Sequence, residues 1–127
     1  MDNGNLTQYF KSIVDQDRCA VVICNTAHEI IYMNPAAAER YAKRGGAALV
    51  GQSLLNCHNA QSVEQIGKVV AWFGESTDHN SIYTFRNEKE NKDVYMVALR
   101  DEDGTLIGYY EKHEYRDVET RARYDFQ

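Results

Sequence analysis

A chain of 127 residues has the length of one domain, and its 43% hydrophobic and 26% charged residues are ordinary for a globular protein. The formal net charge of −5 disfavours a nucleic-acid partner, because a phosphate backbone is contacted by clustered Lys and Arg side chains. The segment nearest to a basic cluster contains only Arg40, Lys43 and Arg44. We therefore expect no binding to nucleic acid.

A membrane protein and a disulfide-stabilised protein are disfavoured as well. No apolar run approaches the roughly 18 residues of a membrane span, and the N-terminal sequence MDNGNLTQYF lacks the basic start and apolar core of a signal peptide. The three cysteines include no CxxC pair, so neither a disulfide framework nor a structural zinc site is indicated. These features predict a cytoplasmic protein without a membrane partner.

The first predicted element is an amphipathic helix over residues 5–15, with Asn5 as N-cap and Gln8 as its reciprocal partner. Its apolar residues fall on one helical stripe. They are Leu6, Tyr9, Phe10, Ile13 and Val14. Because large apolar patches are rarely left bare, we expect this stripe to pack on an outer face of the sheet or on a second copy, giving a homodimer.

Two runs rich in Val, Ile and Tyr follow, over residues 19–25 and 29–33. Residues 26–28 separate them, a pattern typical of a tight β-hairpin with apolar residues on both faces. His28 lies in the turn and is expected to face solvent. Asn34 then suits a helix N-cap and Pro35 the first helical turn.

The helix opened by Pro35 is predicted to stop at Gly45. One or two short helical turns are expected within residues 47–59. Ser62, with Gln65 three residues later, is typical of a capping box that starts the last helix. That helix has an apolar face and is expected to stop near Gly74. Its face consists of Val63, Ile66, Val70 and Phe73.

Three strands are predicted over residues 81–88, 93–100 and 105–115. Polar loops join them, and the pair Asp103–Gly104 is a strong hairpin signal. We expect one antiparallel sheet with the last strand at its centre, beside the first.

This order of elements resembles the PAS domain family, an α+β fold in which a five-stranded antiparallel sheet has its helices inserted between strands 2 and 3. Three segments carry the resemblance. EIIYMNPAAAERY is similar to a family pattern Y-x-N-x-A, GQSLLNCHN to G-x-x-L followed by His-Pro, and RDEDGTLIGYYEKHEYRDVE to the last hairpin and its acidic exit motif. The resemblance covers about residues 17–120. It implies an N-terminal helix (1–16), a PAS core (17–116) and an exit segment (117–127).

Two departures accompany the resemblance. Asn59 stands where Pro is common, and the exit motif from Asp117 to Thr120 has one residue more than the common Asp-x-Thr. The chain ends about seven residues later, without a kinase, cyclase or DNA-binding module. The expected alternatives are a stand-alone sensor domain that acts on a separate effector protein and a piece of a longer protein, and Met1 favours the former.

The resemblance implies a sensory module that binds haem or a small organic molecule in its core cavity, and haem is the leading candidate. His58 precedes the last helix, on the cavity side, and is the predicted iron ligand. The predicted lining comprises Met33, Ile66, Val70, Tyr83 and Tyr95. Lys68 or Arg86 is expected to meet the propionates. The alternative for His58 is a local hydrogen-bonding or capping role.

Flavin is not expected, although Asn56-Cys57-His58 is similar to the Asn-Cys-Arg of the family's light sensors. His58 replaces the phosphate-binding Arg, and the strand VYMVALR lacks amides to read a flavin ring. Cys57 is therefore predicted to be a buried structural thiol. His79 is expected in a solvated loop, and His113 near the end of the last strand.

Two other functions remain open. One is a ligand-free module for dimerisation and protein interaction, whose cavity its own side chains fill. The other is a small enzyme that uses Cys57 and His58. It is disfavoured because neighbours in sequence do not make a catalytic dyad, and no phosphate-binding or dinucleotide motif is present.

Overall fold

The computed structural model describes residues 3–126 of the chain. Its α-helices are α1 (Asn3–Gln16), α2 (Pro35–Arg40) and α3 (Ala60–Glu75). Its strands are β1 (Val22–Asn25), β2 (Ile30–Met33), β3 (Ser81–Asn87), β4 (Lys92–Arg100) and β5 (Leu106–Tyr115). Short 3₁₀ turns at Ala42–Arg44, Gly46–Leu49 and Leu54–Cys57 connect α2 to α3. Within the described range, no helix has the length and apolar character to cross a bilayer.

The five strands form one sheet in the order β2-β1-β5-β4-β3, and every pair is antiparallel. This confirms the predicted fold, with the last strand at the centre beside the first and the helices between β2 and β3. The Asp-Gly signal is confirmed too, since Gly104 has φ 84° in the β4–β5 turn. Glycine adopts this left-handed conformation without steric cost. The first strand begins at Val22, three residues later than predicted.

The core lies between one face of the sheet, called the inner face below, and the segment from α2 to α3. Phe73 of α3 is fully buried there. Even-numbered residues of β4, such as Met96, point to this face, because side chains alternate along a strand. On β5 the odd-numbered residues from Tyr109 to His113 do so. The buried cluster comprises Ala20, Cys24, Ile30, Met33, Ala37, Leu49, Phe73, Met96 and Tyr109.

Two predicted helix starts are wrong. Helix α1 begins at Asn3, so Asn5 lies inside its first turn and is not the N-cap. Helix α3 begins at Ala60, where the Asn59 side chain accepts a hydrogen bond from the Ser62 amide over 2.8 Å. Asn and Ser are comparable N-caps, and the earlier one prevails because it lets the helix extend by three more residues. The helix ends at Glu75 rather than Gly74.

The apolar stripe of α1 does not pack on the sheet of its own chain. Tyr9, Phe10 and Ile13 remain 63%, 58% and 71% exposed. The helix contacts the sheet through its polar side instead, where the Tyr32 hydroxyl donates to Asp15. An intrachain partner for the stripe, one of the two predicted, is therefore absent from the described residues.

Asn34 is the N-cap of α2, as predicted, and its side chain also forms hydrogen bonds to backbone groups outside α2. Its Oδ1 accepts from the amides of Ala37 and Val21, both over 2.9 Å. Its Nδ2 donates to the carbonyls of Val14 over 2.9 Å and Cys19 over 3.0 Å. The fully buried side chain thus joins the end of α1, the start of β1 and the start of α2.

The C-terminal end of α3 is held by an arginine from the sheet. Arg100 Nη2 donates to the carbonyls of Phe73, Ser76 and His79 over 2.7, 3.0 and 3.1 Å. A guanidinium satisfies the helix-end carbonyls and opposes the negative end of the helix dipole. His79 was predicted to be solvated, but its ring stacks on the Trp72 ring, with 4.0 Å between the two ring centroids.

Candidate functional site

A cavity with two chambers lies between the inner face of the sheet and the segment from α2 to α3. Tyr41, Leu54 and His58 line both chambers. The outer chamber, of about 520 Å³, is also lined by Ile30, Met33, Arg40, Arg44, Leu49 and Cys57. The inner chamber, of about 70 Å³, is also lined by Ala20, Val22, Cys24, Ile66, Met96, Tyr109, Glu111 and His113.

His58 stands where the two chambers meet, directly after the 3₁₀ turn Leu54–Cys57. Its Nδ1 lies 2.9 Å from the carbonyl oxygen of Leu54. Since a carbonyl only accepts, Nδ1 carries the proton and the lone pair of a neutral ring is on Nε2. An imidazole held in this way, with one nitrogen bonded to a backbone carbonyl, is oriented as metal-ligating histidines commonly are.

The other predicted lining residues divide between the cavity and the rest of the molecule. Met33 lines the outer chamber and Ile66 the inner one. Val70 packs against the core but lines neither chamber. The structure does not bring Tyr83 and Tyr95 to the cavity. Their rings pair at 5.3 Å on the opposite face of the sheet, because Tyr95 alternates with the inward-facing Val94 and Met96 of β4.

The predicted propionate partners line neither chamber. Lys68 pairs with Glu64 on an exposed side of α3, and Arg86 of the edge strand β3 lies 3.8 Å from Asp93. The cations that line the outer chamber are Arg40 and Arg44, which the sequence analysis considered only as members of a weak basic cluster.

These two arginines differ in their partners. Arg40 forms a bidentate pair with Glu90, both contacts at 2.9 Å. Arg44 Nη1 lies 3.4 Å from the carbonyl oxygen of Cys57. Among residues 5–126, no carboxylate lies within ion-pair distance of Arg44, so its charge is available at the outer chamber.

His113 was the functional candidate that sequence reasoning left without a role. Its side chain is only 7% exposed, and Nε2 lies 3.4 Å from Glu111 Oε1. Among the described residues Nδ1 has no hydrogen-bond partner. Burial, with Lys92 and Arg40 nearby, lowers the pKa of His113 to about 4, so the ring is neutral at pH 7. The alternation Tyr109-Glu111-His113 was the signal that these residues share a face.

The remaining histidine and cysteine predictions need correction. His28 is half-buried, and its Nδ1 lies 2.9 Å from the Tyr109 hydroxyl rather than in solvent. Cys57 is half-buried and lines the outer chamber rather than lying in the core. The buried thiol is Cys24, where burial raises the pKa to about 11. His58 directs Nδ1 to the backbone, and the described contacts include no hydrogen bond between it and Cys57.

Within the described part of the chain, no group of three His, Cys, Asp or Glu side chains is arranged to hold a metal ion. A metal bound through protein side chains alone is therefore not supported there. A metal that brings its own equatorial ligands, such as haem iron, needs only one axial donor.

Comparison with known proteins agrees with this architecture. The PAS domain of a protein from Colwellia psychrerythraea is 19% identical with a TM-score of 0.62, over 92% of this chain and 99% of the other. The PAS domain of BvgS from Bordetella pertussis is 10% identical with a TM-score of 0.62, over 90% and 88%. The Aer2 receptor from Vibrio cholerae, a dual PAS-heme oxygen sensor, is 16% identical with a TM-score of 0.53, over 74% and 90%.

At these identities the structural likeness shows the fold alone. No curated protein sequence matched the chain. The sequence model of the PAS domain family, however, matches residues 18–112, which is most of the 127. The chain belongs to the PAS domain family.

Proposed function

We propose that this chain is a cytoplasmic sensory module that holds haem or a small organic ligand in its two-chambered cavity. The observation that carries the proposal is His58, which lines both chambers and whose Nε2 has no hydrogen-bond partner among the described residues. Domains of this family are generally sensory or regulatory rather than catalytic. A ligand in the cavity would contact the sheet and the segment from α2 to α3, and a separate effector protein would read the change.

The donor set of the outer chamber fits haem. His58 Nε2 is a suitable axial donor, apolar walls come from Ile30 and Leu49, and Arg44 offers an unpaired cation to a propionate. Haem would supply an iron centre that binds a small diatomic ligand. The similar fold of the Aer2 receptor, a PAS-heme oxygen sensor, adds support without sequence identity high enough to carry the ligand over.

Reconstitution with hemin tests this function. We expect a sharp Soret band with wild type, because one oriented imidazole binds the iron, and His58→Ala should shift or broaden it. His79→Ala is the matched control, since this imidazole stacks on Trp72 and lines neither chamber. A band that survives His58→Ala unchanged contradicts the axial role. Mass spectrometry of extracts from the purified protein detects a non-haem ligand, and the absence of both such a ligand and the Soret band contradicts the ligand-binding function.

A second function, dimerisation, is favoured by the bare stripe of α1. Tyr9, Phe10 and Ile13 are more than half exposed although they lie on one side of the helix. A second copy of the same helix is a complementary partner for such a stripe, because an isologous interface pairs identical patches. This assembly is compatible with a ligand in the cavity and equally with a module that binds none.

Sedimentation of the wild type and of Phe10→Glu checks the dimer. We expect a concentration-dependent dimer for wild type and at least a tenfold weaker association for Phe10→Glu, since a buried unpaired carboxylate is costly. Gln8→Glu adds the same charge to an exposed position of α1 and should leave the association nearly unchanged. A wild type that is monomeric at high concentration contradicts the proposal.

A further inference from the structure

The inner chamber contains a buried hydrogen-bond acceptor that nothing in the described chain satisfies. The side chain of His113 is 7% exposed, and its Nε2 faces Glu111 Oε1 at 3.4 Å. A neutral imidazole carries one proton, and the carboxylate oxygen favours that proton on Nε2. The lone pair is then on Nδ1, which has no partner. Buried acceptors are rarely left unmatched, so this atom needs a donor from outside the chain.

The size and walls of the inner chamber restrict that donor. Its volume of about 70 Å³ corresponds to a handful of water-sized positions of about 10–15 Å³ each, so it suits one small ring and not a macrocycle. The walls include the aromatic ring of Tyr109 and the apolar side chains of Met96 and Ile66. Aromatic and thioether groups favour an aromatic ring between them.

The charges around His113 disfavour an ion of either sign. Glu111 on the same strand opposes an anion, as does Glu90 from the turn after β3. Lys92 on β4 and Arg40 on α2 oppose a cation, and both act on His113 electrostatically. Lys92 is 2% exposed, so its charge is little screened by solvent. An uncharged molecule avoids both penalties.

We propose that the inner chamber binds an uncharged, single-ring aromatic molecule that donates a hydrogen bond from an O–H or N–H group to His113 Nδ1. The proposal rests on the cavity's function as a ligand site and names the class of ligand. It differs from the haem role of His58, which concerns the outer chamber. A ring in the inner chamber would contact β1, β4, β5 and α3 together.

Phenol and toluene are a matched pair of probes, because they have nearly the same shape and only phenol has a donor. We expect phenol to bind wild type about tenfold more tightly than toluene, measured by NMR titration, although toluene is the more hydrophobic. The ¹⁵N resonance of His113 Nδ1 should move with phenol and not with toluene. Equal affinity, a preference for toluene, or no binding of either probe would overturn the proposal.

The variant His113→Phe keeps a ring and removes the acceptor, and we expect it to lose the preference for phenol. Lys112→Ala, one residue away on the opposite face of β5, should keep it. The ¹⁵N measurement on wild type decides the proposal if His113→Phe does not fold. A Soret band that depends on His58, or a co-purified ligand, found together with no phenol preference would overturn this inference and leave the proposed function standing.

Discussion

Gly108→Ala is expected to abolish the native fold or detach β1 from the sheet, at a cost above roughly 4 kcal/mol. Gly108 is buried on the central strand β5, opposite Asn25 of β1. A Cβ atom there would lie 2.1 Å from the carbonyl oxygen of Cys24 and 3.3 Å from Asn25 Cα. Both are backbone atoms, so no side-chain rotation relieves the overlap and the two strands must separate.

Urea unfolding and amide NMR spectra measure this effect. Gly67→Ala is the matched control, because a Cβ at Gly67 in α3 meets nothing within 4 Å. It should stabilise the protein by up to about 1 kcal/mol, since alanine has the higher helix propensity. The same substitution is thus expected to have opposite signs at the two positions. A loss below about 1 kcal/mol at Gly108 would show that β1 and β5 do not approach as described.

Asn34→Asp is expected to destabilise the protein by about 4 kcal/mol at pH 7, although Asp is as good an N-cap as Asn. The fully buried Nδ2 group donates to the carbonyls of Val14 and Cys19, which the variant cannot do. A carboxylate oxygen would face those carbonyls instead, as an unpaired buried charge.

The pH dependence of this variant has a definite sign. Burial beside carbonyl oxygens raises the pKa of the introduced carboxyl group in the folded state above its unfolded value of about 3.9. The folded state then binds the proton more tightly, so part of the lost stability returns as the pH falls from 7 towards that raised pKa. Denaturant unfolding at pH 7 and pH 5 measures the difference relative to wild type.

Asn59→Asp is the control for the helix cap alone. Asn59 caps α3 from an exposed position, and of its side-chain atoms only Oδ1 forms a described hydrogen bond. Asp preserves that acceptor and places a negative charge at the positive end of the helix. We expect a change within about 0.5 kcal/mol. An equally small change for Asn34→Asp would mean that the two carbonyl contacts contribute little.

The elements that could be predicted from the sequence are those with local causes. The five strands, the Asp-Gly turn and the Asn34-Pro35 helix start depend on residues within a few positions of each other, so short patterns predict them. The order of these elements, together with the family motifs, was sufficient to predict the fold and the position of His58 beside the cavity. The start of α3 was not resolved locally, because its N-cap is Asn59 and not the predicted Ser62, three residues later.

Which face of the sheet encloses the cavity depends on long-range packing and could not be predicted from local patterns. Alternation along a strand shows that Tyr95 and Met96 point in opposite directions, but not which of them points inward. The inner face is the one on which α3 packs with its buried Phe73. Tyr83 and Tyr95 lie on the opposite face and therefore outside the predicted site. Long-range contacts likewise brought Arg44 and His113 to the chambers, because the residues that surround them come from separate elements of the chain.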